Sequence, residues 1–161
     1  MKKSTRKQVG HASLLLFIVY ICILIYFVFF SDRYGRGTRF TEYRYNFKPF
    51  AEINRYVTYN EHFTMENIIT NLVGNVLVFV PVGFLVPIIK KEGVNLFTIF
   101  CISLCMTLFI EVVQLIFRIG VFDVDDLIMN TMGGILGYVI FKIVQRWYRR
   151  LFLYKVRKNR R

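Results

Sequence analysis

Four runs of apolar residues, each long enough to cross a bilayer, constrain what this chain can fold into. A bilayer core of about 30 Å needs roughly 20 apolar residues in each spanning helix. With a mean hydropathy of +0.45 and 55% hydrophobic residues, the chain is too apolar for an ordinary soluble domain. We therefore predict an all-α polytopic membrane protein, with a small helical bundle forming one domain over residues 1–161. The predicted spans are residues 12–30, 68–89, 96–117 and 127–144.

The first run follows a basic stretch, MKKSTRKQ, so a secretory signal peptide is an alternative interpretation. The apolar core of a signal peptide is only about 7–15 residues long and ends at a small-residue cleavage site. Here the run is longer and continues into FFSDRYGRG, which contains no such site. We predict an uncleaved first helix.

The distribution of charge predicts the orientation of the helices, because basic residues in short loops are retained on the cytoplasmic side. With both termini inside, the inner segments carry fifteen basic residues and one acid, Glu92. The outer segments carry seven basic residues and the other nine acids. We therefore expect a multi-pass protein of the plasma membrane with both termini in the cytoplasm.

The formal net charge of +12 does not require a nucleic-acid partner, because most of the positive charge falls on the predicted inner side. The basic cytoplasmic tail, residues 145–161, mixes aromatic and cationic side chains. This composition is typical of a segment that lies on anionic lipid headgroups. We expect membrane lipids, and no nucleic acid, as its partners.

Cysteine and histidine patterns give no indication of a disulfide framework or a zinc site. Cys22, Cys101 and Cys105 all fall in predicted spans, where a thiol behaves as a small apolar group. His11 and His62, the two histidines of the chain, are too few to complete a zinc site with them. The sequence also lacks HExxH, Walker and GxSxG motifs.

The predicted outer segment, residues 31–67, alternates aromatic and charged residues. Phe50, Ile53 and Val57 recur at helical spacing within it. We expect this segment to lie along the outer interface of the membrane and not to fold as a separate domain.

Three predicted helices carry polar side chains at one depth, near the outer side. Residues three or four apart share a helix face, and a charged group facing lipid costs several kcal/mol. The polar faces should therefore turn toward one another. We predict one polar cup, open to the outside, formed by these residues: Asn71, Asn75, Glu111, Gln114, Arg118, Asp123, Asp126 and Asn130.

A purely structural interpretation of the same residues remains open. Glu111 could pair with Arg118, or with Asn75 and Asn130, only to hold the helices in register. A carboxylate at a helix N-terminus is ordinary capping, so Asp123 or Asp125 could cap the fourth helix. We expect Asp125 to face solvent.

Small residues and prolines predict where helices approach closely. Gly133 and Gly137 form a GxxxG pattern on the fourth helix, which favours a packing seam. We expect Gly74 and Gly83 to serve the second helix in the same way. Pro81 should free a backbone carbonyl of that helix for another partner.

The motifs together resemble the VanZ-like family of bacterial membrane proteins. The resemblance covers about residues 46–138 and rests on NLVGNVLVFVPVGFLVP, EVVQ, FDVDDLIMNTMGGILGY and the preceding NFKPF. The family pattern falls on Asn46, Pro49, Phe50, Asn75, Phe79, Pro81, Gly83, Glu111, Gln114, Asp123, Asp126, Asn130, Gly133 and Gly137. The resemblance implies a role at the cell envelope, with lowered susceptibility to teicoplanin-type antibiotics in the namesake of the family.

Three functions remain open at this point. One is an envelope protein that lowers access of a glycopeptide antibiotic to its target. The second is a membrane enzyme acting on a lipid-linked or cell-wall precursor, with Glu111 and Asp126 as the catalytic residues and a divalent cation held by oxygens of Asp123, Asp126 and Asn130. The third is a small oligomeric transporter or flippase that uses the cup as its substrate or proton site.

Overall fold

The computed structural model describes residues 3–30, 40–51, 54, 65–90 and 92–158. Four helices and two very short strands are present in this part of the chain. They are α1 (Lys3–Phe30), β1 (Tyr45–Asn46), α2 (Met65–Lys90), α3 (Leu96–Phe117), β2 (Phe122–Asp123) and α4 (Val124–Lys158). Each helix contains a stretch long and apolar enough to cross a membrane: residues 8–29, 72–90, 96–117 and 124–151. The predicted helical membrane fold is confirmed.

α3 begins and ends where its predicted span does, whereas α4 extends well beyond its predicted span. α3 has the predicted bounds, because Asn95 caps its start by accepting a hydrogen bond from the Thr98 backbone N–H at 2.8 Å. α4 is much longer than predicted, since it runs without interruption to Lys158. Its 35 residues correspond to about 52 Å of helix, which exceeds the thickness of a bilayer core. The predicted basic tail is therefore a continuation of α4 as far as residue 158.

The core of the bundle is the contact between α2 and α4, with α3 packed on α4 and α1 packed on α2. α2 and α4 approach so closely that their backbones touch. A Cβ atom added to Gly133 would overlap the carbonyl oxygen of Val76, and one added to Gly137 would overlap that of Val80. Gly83 lies equally close to the carbonyl oxygen of Gly134. Glycine is needed at these positions because any side chain would separate the helices.

Gly74 behaves differently from these glycines. A Cβ atom added there would meet no atom within 4 Å, so the expectation that Gly74 also serves close packing is wrong. The residue lines an open cavity between the helices.

Two prolines lie inside α2, which remains helical through both of them. Pro81 has no N–H to offer the Leu77 carbonyl four residues earlier. The next carbonyl along the helix, that of Val78, accepts a hydrogen bond from the Tyr20 hydroxyl at 2.8 Å. This bond attaches α1 to the proline-containing part of α2.

The two strands attach residues 40–51 to the turn between α3 and α4. β1 pairs with β2 in parallel, with Tyr45 opposite Phe122 and Asn46 opposite Asp123. Two further backbone bonds extend the contact: Phe40 N–H to Arg118 O at 2.8 Å, and Phe122 N–H to Arg44 O at 3.0 Å. This part of the predicted outer segment is thus docked on the bundle.

The docked segment also presents exposed aromatic side chains, as an interfacial segment would. They belong to Tyr43, Tyr45, Phe47 and Phe50. The rest of the helical pattern predicted for this segment, at Ile53 and Val57, lies outside the described residues.

Replacing Gly133 by alanine should destabilise the bundle, because the new methyl group would overlap a backbone carbonyl that cannot move independently of α2. Overpacking of this kind costs about 1–3 kcal/mol. Gly74→Ala is the matched control, since it adds the same methyl group to a helix but into open space. We expect the apparent Tm of purified protein in detergent to fall for Gly133→Ala and to hold for Gly74→Ala. Equal Tm values for the two variants would contradict the proposed seam.

Candidate functional site

A cavity of about 610 Å³ lies between the four helices, at the end of the bundle where α1 and α3 finish and α2 and α4 begin. We refer to this as the cavity end. One wall is apolar and comes from α1 and α2. The polar residues of the lining are Asn75, Glu111, Gln114, Asp123, Asp126 and Asn130.

Glu111 is the most buried acid of the cavity, with 2% of its surface exposed. α3 presents it on a polar face that also contains Ser103, Thr107 and Gln114, each one or two turns away. One carboxylate oxygen, Oε2, accepts a hydrogen bond from the backbone N–H of Asp123 at 3.1 Å. Glu111 therefore connects the end of α3 to the start of α4.

Asp123 caps α4. Its Oδ1 accepts the backbone N–H of Asp125 at 2.8 Å, which is the bond expected of an N-cap residue. The Asn46 side-chain amide donates to both oxygens of the same carboxylate, at 3.3 Å and 3.2 Å. Asp123 thus holds together the first turn of α4 and the docked segment.

Asp125 is buried, with 2% of its surface exposed, so the prediction that it faces solvent is wrong. Its Oδ1 accepts the backbone N–H of Phe50 at 2.5 Å. Phe50 has a left-handed backbone with a φ of 61°, which is unfavourable for a residue with a bulky side chain. The bond to Asp125 joins the NFKPF segment to the start of α4.

The remaining polar residues of the cavity bridge pairs of helices. The Asn75 side chain on α2 donates to Oδ1 of Asp126 on α4. The Asn130 side chain on α4 donates to the Thr107 hydroxyl on α3 at 2.8 Å. Gln114 on α3 donates to the backbone carbonyl of Val28 on α1 at 3.2 Å.

Arg118 and Asn71 complete the predicted cup residues. Arg118 ends α3 in a left-handed conformation, and its guanidinium donates to the Thr41 carbonyl at 3.2 Å while lying 4.4 Å from the centre of the Tyr43 ring. It is absent from the described lining of the cavity. The side chain of Asn71 lies outside what the structure describes.

The described residues contain no group of three or more His, Cys, Asp or Glu side chains arranged to hold a metal ion. Carboxylate oxygens of Asp123 and Asp125 already accept hydrogen bonds from the first turn of α4 and from the docked segment. A divalent cation at this site stays a prediction.

Three features of the site are absent from the sequence-based prediction. The first is Thr107, the partner of Asn130, although Ser103, Thr107 and Glu111 recur every four residues and so share one helix face. The role of Asn46 was visible only as part of the NFKPF motif. The contribution of α1 to the cavity could not be predicted from polar residues, because the α1 residues that line the cavity are apolar apart from Tyr20.

The sequence matches the VanZ/LLP1 family over residues 17–145. The chain belongs to this family. It is 29% identical over 128 residues to a protein named Protein VanZ from Enterococcus faecium, and the alignment covers 78% of this chain and 71% of that relative. No solved structure gives a significant match. All residues that line the cavity of this VanZ-family chain fall within the matched region.

Asn46→Ala should release the docked segment, because it removes the donor to the Asp123 carboxylate. A hydrogen bond to a charged group contributes about 1.5–3 kcal/mol, so the open state should be populated at least about tenfold more often. We expect trypsin to cleave purified protein faster after Arg44. Glu42→Gln, a change at an exposed position of the same segment, is the control. If Asn46→Ala is cleaved no faster than this control, the amide does not hold the segment.

Proposed function

We propose that this VanZ-family membrane protein acts at the outer face of the bacterial cytoplasmic membrane and lowers susceptibility to teicoplanin-type lipoglycopeptide antibiotics. Membership of the VanZ/LLP1 family and the similarity to Protein VanZ support an envelope role. The observation that carries the proposal is the cavity, which combines buried carboxylates with an apolar wall inside a membrane helix bundle.

The outward orientation of the cavity is supported by charge. Lys90 and the long basic extension of α4 belong to the end of the bundle opposite the cavity. Lysine and arginine near the ends of spanning helices are retained in the cytoplasm. The cavity end would then face the outside of the cell, where the target of a glycopeptide antibiotic is exposed.

The hydrogen bonds accepted by the acids of the cavity favour a binding function over a catalytic one. Each of the three acids in the described lining already accepts bonds from the chain itself: Glu111 from the Asp123 N–H, Asp123 from Asn46 and the Asp125 N–H, and Asp126 from Asn75. Such bonds hold carboxylates in fixed positions, which suits recognition of a ligand. We therefore propose that the protein binds part of an amphipathic molecule at the membrane surface.

A membrane enzyme acting on a lipid-linked cell-wall precursor is the second candidate. It is supported by Glu111, a carboxyl group that is almost fully buried and yet lines a cavity large enough for a substrate. The two candidates differ in one observable. Only the enzyme would change the envelope lipids or muropeptides of the expressing strain.

Expression in a susceptible host should raise the inhibitory concentration of a teicoplanin-type lipoglycopeptide, with a smaller effect on a glycopeptide that lacks an acyl chain. Glu111→Gln and Asp126→Asn should abolish most of the shift, because they remove charge from the cavity while keeping size and shape. Glu42→Gln, at an exposed position outside the cavity, should retain it.

Membrane abundance of each variant must be measured in parallel, so that loss of function is distinguished from loss of protein. An unchanged inhibitory concentration at normal abundance of the wild-type protein would overturn the proposed function. If both charge variants protect the host as well as the wild type does, the charged residues of the cavity play no part in the protection.

A further inference from the structure

The last part of α4 extends beyond the helices that it packs against. α2 and α4 run in the same direction, and the rings of Phe84 and Phe141 lie 6.4 Å apart. These two residues are 57 positions apart in the chain, as are the partners in two of the glycine contacts between the helices. At the same offset, Lys90, the last residue of α2, lies level with Trp147.

α3 runs in the opposite direction and begins at nearly the same level. The Asn130 side chain donates to the Thr107 hydroxyl, so these two residues lie side by side. Eleven residues from this bond, Leu96, the first residue of α3, lies level with Phe141. Because α2 and α3 are both long and apolar enough to span a membrane, the headgroup layer at this end of the bundle begins between Phe141 and Trp147.

From this level onward, α4 has two chemically different faces. A helix turns by about 100° per residue, so four exposed cations fall within about 100° of one another. We call these the basic face: Lys142, Arg146, Arg149 and Arg150. On the opposite side, within about 60° of one another, lie Val144, Trp147 and Leu151, which are also exposed and which we call the apolar face. Such an amphipathic pattern is typical of helices that lie in a membrane interface.

The chain itself supplies little negative charge to neutralise the basic face. The sequence of α4 contains no Asp or Glu after Asp126, which lies at the opposite end of the helix. Glu92, in the loop between α2 and α3, is the one acid of the predicted inner segments. Lys142 lies 5.1 Å from the centre of the Tyr138 ring, a contact that leaves its positive charge in place. A ligand of the basic face must therefore carry negative charge.

We propose that the basic face of α4 binds the phosphate groups of anionic phospholipids in the leaflet at this end of the bundle, while the apolar face lies against their acyl chains. The inference goes beyond the proposed function and does not depend on it. Arginine suits this role because its planar guanidinium donates two parallel hydrogen bonds to one phosphate. Trp147 suits the boundary between headgroups and acyl chains because its ring is amphipathic.

The level of the basic face favours a lipid over a soluble acidic partner. The headgroup layer is about 5–8 Å thick on each side of a bilayer. Arg150, the last cation of the face, lies about 4.5 Å along the helix beyond Trp147. All four cations therefore lie within or next to this layer. The charge distribution of the chain predicts that this end is cytoplasmic, where the leaflet carries a negative surface potential.

Trp147 reports directly on this surface, because it is the one tryptophan of the chain. Full-length protein is reconstituted into vesicles of phosphatidylcholine and phosphatidylglycerol, in which one of the two lipids carries brominated acyl chains that quench tryptophan fluorescence. Quenching by each brominated lipid at equal mole fraction gives their relative affinity for the site beside Trp147. We expect phosphatidylglycerol to be favoured at least about fivefold, the effect of one cation near a membrane surface. The preference should shrink in about 1 M salt, which screens charges beyond about 3 Å.

The variant Arg146→Gln, Arg149→Gln, Arg150→Gln removes three charges from the basic face. These positions are exposed, so the fold and the apparent Tm should be retained. We expect the preference for phosphatidylglycerol at Trp147 to fall below about twofold, because most of the attraction to the anionic headgroup is lost.

The variant Lys3→Gln, Arg6→Gln, Lys7→Gln is the matched control. It removes the same number of charges from the start of α1, at the same end of the bundle, and leaves the basic face unchanged. It should keep the preference of the wild-type protein.

Four outcomes would overturn the proposal. Equal quenching by the two brominated lipids, or no quenching by either, would show that anionic lipid does not gather at Trp147. An unchanged preference in the basic-face variant, or an equal loss in the control, would show that the basic face does not determine it. Quenching that weakens as the protein-to-lipid ratio rises would show that a second copy of the chain, and not lipid, covers the apolar face.

Discussion

The close contact between α2 and α4 is the constraint on which the rest of the structure depends. Gly133 and Gly137 bring the backbone of α4 against the carbonyls of α2, a distance at which no side chain fits between the helices. In lipid there is little hydrophobic driving force between helices, so such close packing is a main source of their association. Asn75, the residue before Val76 on α2, bonds Asp126, which lies about two turns before Gly133 on α4. The polar residues of the cavity therefore lie beyond the end of the glycine contacts between α2 and α4.

The acids at the α3–α4 turn have a double role. Within a membrane bundle, backbone and side-chain donors that find no acceptor cost several kcal/mol each. Glu111, Asp123 and Asp125 accept the N–H groups of the turn, of the first residues of α4 and of Phe50. These bonds build the turn, and two of the three acids, Glu111 and Asp123, also line the cavity. A structural role and a binding role are thus compatible in the same carboxylates.

The membrane helices could be predicted from the sequence because each requirement for them is local. Apolar length fixes the spans, and Asn95 marks the start of α3 through its own side chain. The convergence of Asn75, Glu111, Asp126 and Asn130 could also be predicted from the sequence, since helical spacing and alternating direction place them at one depth.

Contacts that depend on the path of a loop could not be derived in this way. The pairing of Asn46 with Asp123 joins residues 77 positions apart, and the bond from the Phe50 N–H to Asp125 joins residues 75 positions apart. Gly74 could not be distinguished from the packing glycines by sequence, because it differs from them only in facing the cavity that α1 helps to line.

The central claim is that a polar cavity opens from the bundle toward the outside of the cell, and cysteine accessibility tests it most directly. In a background without Cys22, Cys101 and Cys105, single cysteines are placed at Gly74 in the cavity, at Ser103 in the core and at Glu92 in the loop at the opposite end. Intact cells are treated with a membrane-impermeant thiol reagent. The account predicts labelling of the Gly74 position in intact cells, labelling of the Glu92 position only after permeabilisation, and no labelling of the Ser103 position. Labelling of the Glu92 position in intact cells, with the Gly74 position protected until permeabilisation, would contradict it.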